Sequence, residues 1–370
     1  MKITILGAGK VGTTIALMLH KSDFCSDIQI GDIVEQPNFG TFAPRAYTQL
    51  DINDPIALEK LIAGRDAVVS AAPFYLNRII AETCARERVA YFDLTEDVET
   101  TAIIRSLARR AAVPFMPQCG LAPGAINIIG SSYARRFKTV RSLELRVGAL
   151  PLYASNSMKY YLSWSTAGLI NEYCQLAEAL YNGCRIKALP LEGLERLTID
   201  GTEYEAFNTS GGVATMCETF EGRVGDLNYK TIRYPGHRDL MRFLLQDLNL
   251  GRNRHVLTQI LDQEVPLTEQ DVVIMYVNVV GSDEGPVLQR NFVKKIYGRL
   301  IDGTSLSAIQ LSTAAGLVAM LELFSRGSLK SGFVKQEDIA VEDFFSTHWG
   351  HTVYDPACEK NPHDSPDCSH

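Results

Sequence analysis

The stretch KITILGAGKVGTTIALMLH, Lys2–His20, decides the first half of the fold. Lys2–Leu6 has the composition of a short strand, and Thr13–His20 has the apolar spacing of a helix. Between them Gly7, Gly9 and Gly12 spell G-x-G-x-x-G. In that pattern the first glycine permits a tight turn, the second lets the backbone approach a pyrophosphate, and the third lets helix and strand pack closely. The free N–H groups at the helix start then face the phosphates. Glycine-rich turns recur by chance, but this one follows a strand, opens a helix and precedes Asp32, twenty residues after Gly12, at the end of a second strand. The combination predicts a dinucleotide site that includes Gly7, Gly9, Lys10, Val11, Gly12 and Asp32.

Asp32 is placed to accept hydrogen bonds from the adenosine ribose and to repel a 2′-phosphate, so NAD is the expected cofactor and NADP the less favoured one. Asp51, at a third strand end, either caps the adjacent helix or borders the adenine. The run SAAPF, Ser70–Phe74, closes a fourth strand where the nicotinamide half should lie, which adds Ala71, Ala72 and Pro73 to the cofactor set.

Outward from this motif, strands alternate with helices. A helix is read at Asp54–Ala63, a strand at Asp66–Ala72, a helix at Asn77–Arg88, a strand at Val89–Leu94, a helix at Val98–Ala111 and a last strand in VPFMPQCG. That alternation predicts a Rossmann-type doubly wound α/β domain over residues 1–124, with helices on both faces of a parallel sheet. After about residue 125 the strands lengthen (SLELRVGAL, DVVIMYVNVVG), with shorter β segments near 195–207 and 287–299 and helices at Gly168–Leu180 and Arg238–Leu248. This predicts a second, α+β domain with a mixed sheet over 125–303. The apolar Ser305–Leu323 is read as a helix within 304–350 that packs back on the first domain. Residues 354–370 are polar and Pro-rich and read as a mobile tail.

The 46% apolar and 21% charged composition is that of an ordinary soluble protein, and a net charge of −7 without a long basic run argues against nucleic-acid and anionic-membrane partners. Purely apolar runs fall far short of the roughly 20 residues of a membrane helix. The start MKITILGAGKVG runs straight into a strand, with no signal or transit peptide visible, and the expected location is the cytoplasm. The 8 cysteines show no C-x-x-C pair, so no metal site is expected.

Hydride transfer needs a positioned cofactor, an orienting pocket and a base. YFDLTED, Tyr91–Asp97, ends the fifth strand; it offers Asp93 and Glu96 as catalytic carboxylates and Thr95 to the substrate, although Thr95–Asp97 would equally cap the next helix. Asn127, in the turn GLAPGAIN, reaches a pocket or only stiffens a hinge. Tyr75, Trp164 and Ser165 are further substrate-side candidates, Trp164 as a wall for an aliphatic chain or as a core residue. In TIRYPGH, Thr231–His237, Arg233 can pair with a carboxylate, Tyr234 can donate a hydrogen bond, and His237 is suited to proton transfer. Strand alternation sends Arg233 and Tyr234 to opposite faces, so only one of them enters a pocket.

Together these segments form a recognisable set. GAGKVG, YFDLTED, GLAPGAIN, SWSTAGLINEY (Ser163–Tyr173), AFNTSGG (Ala206–Gly212), ETFEGRVGDLNYKTIRYPGH (Glu218–His237) and FVKQEDI (Phe333–Ile339) resemble the saccharopine dehydrogenase-like family, most closely its lysine 6-dehydrogenase branch, over about residues 1–350. After Trp164-Ser165 the lineage often has Pro-Glu, and this chain has Thr166-Ala167. The resemblance implies an NAD(P)-dependent oxidoreductase acting on a carbon–nitrogen bond of a small amino acid. In the lysine branch the ε-amine carbon gives up hydride and the imine hydrolyses to ammonia and 2-aminoadipate semialdehyde. It also implies a homodimer or higher homo-oligomer, built through the second domain. Saccharopine dehydrogenase or carboxynorspermidine-type imine chemistry is the alternative, and a non-catalytic NAD-binding protein the second.

Overall fold

The computed structural model describes residues 1–35, 37, 39 and 46–358. Strands β1 (Lys2–Leu6), β2 (Asp27–Asp32), β3 (Ala46–Gln49), β4 (Ala67–Ser70), β5 (Ala90–Asp93) and β6 (Pro114–Met116) alternate with helices α1 (Lys10–His20), α2 (Pro55–Ile62), α3 (Asn77–Glu87) and α4 (Val98–Ala108). The strands are short, and β1, β4, β5 and β6 are almost wholly buried because helices cover both faces, while β3 at the edge is not. All pair in parallel, in the order β6-β5-β4-β1-β2-β3, so the glycine turn, Ala71–Pro73 and Thr95–Glu96 emerge at one edge.

The chain then passes through α5 (Ala125–Ala134) into a second sheet. It comprises β7 (Thr139–Pro151), β8 (Ala177–Tyr181), β9 (Cys184–Ala188), β10 (Glu195–Ile199), β11 (Thr202–Asn208), β12 (Val224–Arg233), β13 (Asp271–Ser282) and β14 (Leu288–Tyr297). The main order is β10-β11-β12-β7-β13-β14, with the β8–β9 hairpin set against β12. Only β12 and β7 pair in parallel, which makes the sheet mixed. Helices α6 (Thr166–Cys174), α7 (Met216–Phe220), α8 (His237–Arg242) and α9 (Arg254–Glu264) lie between the strands in sequence.

The expected helix Gly168–Leu180 stops at Cys174. Gln175 is extended, and AEALY then alternates as β8, pairing with β9 and β12. Leu169, Ile170 and Tyr173 bury at helical spacing, whereas Ala177 and Ala179 bury at a spacing of two. Tertiary pairing overrides the helix propensity of this alanine-containing run.

A small hairpin, β15 (Arg299–Ile301) with β16 (Thr304–Leu306), leads to α10 (Ala308–Ser325). By length and composition α10 would suit a membrane span, yet 72% of it is buried inside the protein, packed on α1 and β13. Ser307 and Gln310 cap its start reciprocally, and Asp271 of β13 accepts hydrogen bonds from the Ala308 and Ile309 N–H groups at 2.6 and 3.1 Å. The chain then adds β17 (Gly332–Phe333) in parallel beside β6, a seventh strand too short to show a period in the sequence. Helices α11 (Val341–Ser346) and α12 (His348–Tyr354) follow. The expected tail therefore begins later than residue 354. Tyr354 is fully buried and donates to the Ser312 carbonyl at 2.5 Å, and Lys294 donates to the Asp355 carbonyl. Residues 359–370 of that expectation lie outside the described residues.

The three glycines of the first turn differ in what surrounds them. Gly7 has φ +108°, and a Cβ there would sit 2.6 Å from the Ala71 carbonyl oxygen. A Cβ on Gly12 would collide with the carbonyl of Gly7, whereas one on Gly9 would meet nothing within 4 Å. Gly12→Ala is therefore expected to lose about 1–3 kcal/mol of stability through overpacking. Gly9→Ala should lose less than about 1 kcal/mol as a helix cap, yet weaken dinucleotide binding. Urea unfolding and a cofactor titration on both variants check this; equal destabilisation of the two would contradict it.

Candidate active site

A cavity of about 750 Å³ separates the C-terminal edge of the first sheet from the second sheet. Of the residues expected at a cofactor or substrate, it is lined by Gly9, Lys10, Val11, Ala71, Ala72, Pro73, Tyr75, Thr95, Glu96, Trp164, Ser165 and Arg233. On the cofactor side, α1 begins at Gly9 with no side-chain cap and no acidic residue in its first turn, so its N–H groups are left for an anion. The open space at Gly9 and the small side chains Ala71 and Ala72 leave room for a dinucleotide backbone. These residues therefore fit such a cofactor.

Asp32 stands at the end of β2 with Oδ2 accepting from the Ala8 N–H at 2.5 Å and Oδ1 from Val34 N–H at 3.0 Å. Each oxygen keeps a lone pair for a ribose hydroxyl. Asp51 is elsewhere: it is exposed, and its Oδ1 accepts from the N–H and side chain of Asn53 in the turn before α2. Asp54, not Asp51, caps that helix.

The substrate side rests on β12. Tyr229, Thr231 and Arg233 recur every second residue and face the cavity together. Arg233 is only 3% exposed; its Nε–H donates to Tyr173 Oη and its Nη1 to the Ile232 carbonyl, each at 2.9 Å. The guanidinium also lies 5.3 Å from the Tyr160 ring centre. Among the described residues no carboxylate forms an ion pair with it. Tyr234 points to the opposite face, stacked on Tyr204 with its hydroxyl on the Pro151 carbonyl.

Two carboxylates face this arginine's cavity. Glu96 follows β5, and its carboxyl is raised, first by burial and then by the neighbouring Asp97 and Asp93 charges, against an opposing backbone hydrogen bond. Glu172, on α6, is buried, and burial followed by the Glu96 charge pushes it up to about 8, with Arg233 pulling the other way. Glu172 lies in SWSTAGLINEY but is not among the residues that the sequence singles out for the site. Nothing in NEYC marks it, because its burial depends on Arg233 and Glu96 arriving from elsewhere in the chain. Thr231 and Tyr229 were findable, as the alternate residues of Arg233's own strand.

Three expected site residues lie behind the cavity wall. Asp93 is fully buried and accepts from Tyr91 Oη, the Thr95 and Gln118 N–H groups and Asn77 Nδ2; burial raises its carboxyl to about 6. It ties the ends of β5 and β6 together. Asn127 is fully buried too, with Oδ1 on the Gly124 N–H at the start of α5 and Nδ2 on the Gly212 carbonyl. His237 has no exposure, and its two ring nitrogens contact Tyr173 Oη and the Met158 carbonyl. Burial and then the Arg233 charge push His237 down to about 3. A ring so placed does not line the cavity and stays neutral near neutrality.

Tyr75 is 68% exposed at the mouth. Thr95 is buried and bridges, its N–H on Asp93 and its hydroxyl accepting from the Asp97 N–H. Ser165 caps α6 through the Gly168 N–H at 3.1 Å, and Trp164 packs beside that same turn. Lys10 reaches across to Glu269 at 3.5 Å. No group of three or more His, Cys, Asp or Glu residues is arranged to hold a metal among the described residues.

The family model described as "Saccharopine dehydrogenase NADP binding domain" matches residues 3–114, and that described as "Saccharopine dehydrogenase C-terminal domain" matches 120–347. Mitochondrial alpha-aminoadipic semialdehyde synthase of Bos taurus is 22% identical over 383 residues, covering 93% of this chain and 39% of that protein. Saccharopine dehydrogenase [NADP(+), L-glutamate-forming] of Pyricularia oryzae is 27% identical over 33% of this chain and 28% of its own length. The matched stretches thus span well under half the length of these relatives. The fold is shared with apo histidine-tagged saccharopine dehydrogenase (L-Glu forming) from Saccharomyces cerevisiae, with a TM-score of 0.77 at 14% identity over 94% of this chain and 97% of that one. With both halves matched in order around one cavity, the chain belongs to the saccharopine dehydrogenase family.

Proposed function

We propose that this protein is a nicotinamide-dependent dehydrogenase that oxidises the side-chain amine of L-lysine to 2-aminoadipate 6-semialdehyde. The observation that carries the reading is the charge set on the substrate side of the cavity: one buried arginine with no carboxylate ion pair among the described residues, beside two carboxylates, while Lys10 on the dinucleotide side is paired with Glu269. L-Lysine brings one carboxylate and two amines, the complementary count. Saccharopine brings three carboxylates, two of which would face Glu96 and Glu172 without a partner, and like charges brought together disfavour a ligand. The name of the bovine relative refers to the same aldehyde.

In this reading Arg233 holds the α-carboxylate through its terminal nitrogens, and Glu172, on the same side, holds the α-ammonium. Glu96, on the dinucleotide side, takes the proton from the ε-ammonium. The bound nicotinamide supplies the hydride acceptor. As the C6–H bond breaks, its electron pair leaves the substrate and a C6=N bond forms. Water then adds at C6 and ammonia departs, so lysine with its ε-ammonium, water and oxidised cofactor give semialdehyde, ammonium, reduced cofactor and one proton, the one that Glu96 takes and passes to solvent. We assign NAD on the Asp32 carboxylate, although the matched domain model carries NADP in its name.

A second reading draws on the relatives' names: an imine-forming or imine-reducing enzyme that joins an amino acid to a second carbonyl compound, as in saccharopine or carboxynorspermidine chemistry. Initial rates with L-lysine and each cofactor, without and with an added oxo acid or aldehyde, separate the two. Reduced cofactor from lysine alone is expected; turnover only with the second carbonyl compound would move the assignment to the second reading. Higher kcat/KM with NADP would remove the NAD assignment. Arg233→Met should raise the KM for lysine about tenfold or more, the cost of one charged hydrogen bond.

The pH dependence follows from Glu172. Below about 8 its carboxyl carries a proton that must leave before it pairs with an ammonium, which weakens binding. The acidic limb of kcat/KM should therefore rise through about pH 8, and Glu172→Gln should remove that inflection. An unchanged limb in Glu172→Gln would take Glu172 out of the binding set.

A further inference from the structure

Arg233 presents a defined seat only if its fork is held still, and the groups that hold it lie behind the cavity wall. Its Nε–H donates to Tyr173 Oη at 2.9 Å. That hydroxyl is 3.1 Å from His237 Nε2, and His237 Nδ1 is 3.0 Å from the Met158 carbonyl oxygen. Tyr173 and His237 are both buried, and neither lines the cavity.

The direction of each bond follows from the chemistry of its ends. A carbonyl oxygen only accepts, so His237 Nδ1 carries the ring proton. In the neutral ring Nε2 then has only a lone pair, and the Tyr173 O–H donates to it. The phenolic oxygen keeps its lone pairs for the Arg233 Nε–H. Three bonds thus run one way, from guanidinium to Met158, with every donor and acceptor used. A protonated ring would put Nε2–H against Tyr173 and a second cation beside Arg233; burial and that charge hold the imidazole neutral. The Tyr160 ring covers the same assembly, 5.0 Å from the His237 ring and 5.3 Å from the guanidinium.

We propose that Tyr173 and His237 are positioning residues for substrate recognition. The one-way chain Arg233–Tyr173–His237–Met158 fixes the guanidinium so that its terminal nitrogens meet the carboxylate of an amino-acid ligand. This rests on the reading of the ligand as an amino acid, and it gives the histidine a role that involves no proton transfer to substrate.

The test compares L-lysine with L-lysinamide, which lacks the carboxylate, in calorimetric titrations of the protein saturated with reduced cofactor. Tyr173→Phe removes one oxygen from the centre of the chain and keeps the ring. It should weaken lysine about tenfold or more, the scale of one hydrogen bond to a charged group, and leave lysinamide and cofactor binding within about twofold. In turnover the loss should appear in KM, not in kcat. Equal weakening of lysine and lysinamide, or no change in either, would overturn the proposal. Arg233→Met serves as the reference variant. If it loses lysine selectively while Tyr173→Phe does not, the chain is wrong and the carboxylate seat stands. If Arg233→Met changes neither ligand, or the wild type binds neither, the amino-acid reading itself fails. A second measurement needs no folded variant: in ¹⁵N-histidine spectra of the wild type, His237 should appear as a neutral, Nδ1-protonated ring that does not titrate between about pH 5 and 9. An Nε2-protonated or titrating His237 would overturn the direction of the chain.

Discussion

The site depends on a guanidinium buried at the end of β12 that forms no ion pair among the described residues. Taking a cation out of water costs several kcal/mol unless the surroundings answer its charge. Arg233 is answered by a phenol, a main-chain carbonyl and two aromatic faces, all neutral. The remaining compensation belongs to whatever enters the cavity. The same charge sets its neighbours, keeping His237 unprotonated and opposing the burial that pushes Glu172 up.

That arrangement requires β12 to be central. Flanked by β11 and β7, the strand has its register fixed on both sides, so alternation directs Tyr229, Thr231 and Arg233 into the cavity and Ile232 into the apolar cluster on the other face. A slip of one residue would exchange the arginine for an isoleucine. The opposite wall is held by a different device. The C-terminal edge of the parallel sheet gathers the loop ends, and α10 joins the halves by packing on α1 while Asp271 of β13 holds its first turn. Gln310 of the same helix reaches the Lys10 carbonyl in the glycine turn at 3.4 Å.

The α/β half was legible because its signals are local: G-x-G-x-x-G, an aspartate at the second strand end, and strands and helices in regular alternation. The split of Arg233 and Tyr234 was legible for the same reason, since a period of two is a property of the strand itself. What was missed depends on contacts distant in sequence. Ala177–Tyr181 is a strand because β9 and β12 are beside it. His237 suggested acid–base chemistry by residue type, and Asp93 by its position at a strand end. Both are enclosed, and for each the deciding fact is which donors and acceptors surround it. Glu172 is the converse, a carboxylate that nothing in its local spacing sets apart within SWSTAGLINEY and that matters because of where α6 sets it down.

The three charged groups of the substrate wall work as one system. With the cavity empty near neutral pH, Glu172 carries a proton and does not cancel the Arg233 charge, so Arg233 is free to attract a carboxylate. On the proposed reading a lysine carboxylate answers Arg233 and its α-ammonium arrives beside Glu172. A cation there favours the ionised carboxyl, so binding releases the Glu172 proton and completes a pairing that the empty site does not contain. A ligand with a carboxylate and no amine would satisfy Arg233 and leave Glu172 neutral, while an amine without a carboxylate would meet a protonated acid beside an unpaired arginine. Selectivity for an α-amino acid then needs no more residues than these two, because Arg233 is always charged and asks for the carboxylate, while Glu172 becomes charged only when the ammonium is present.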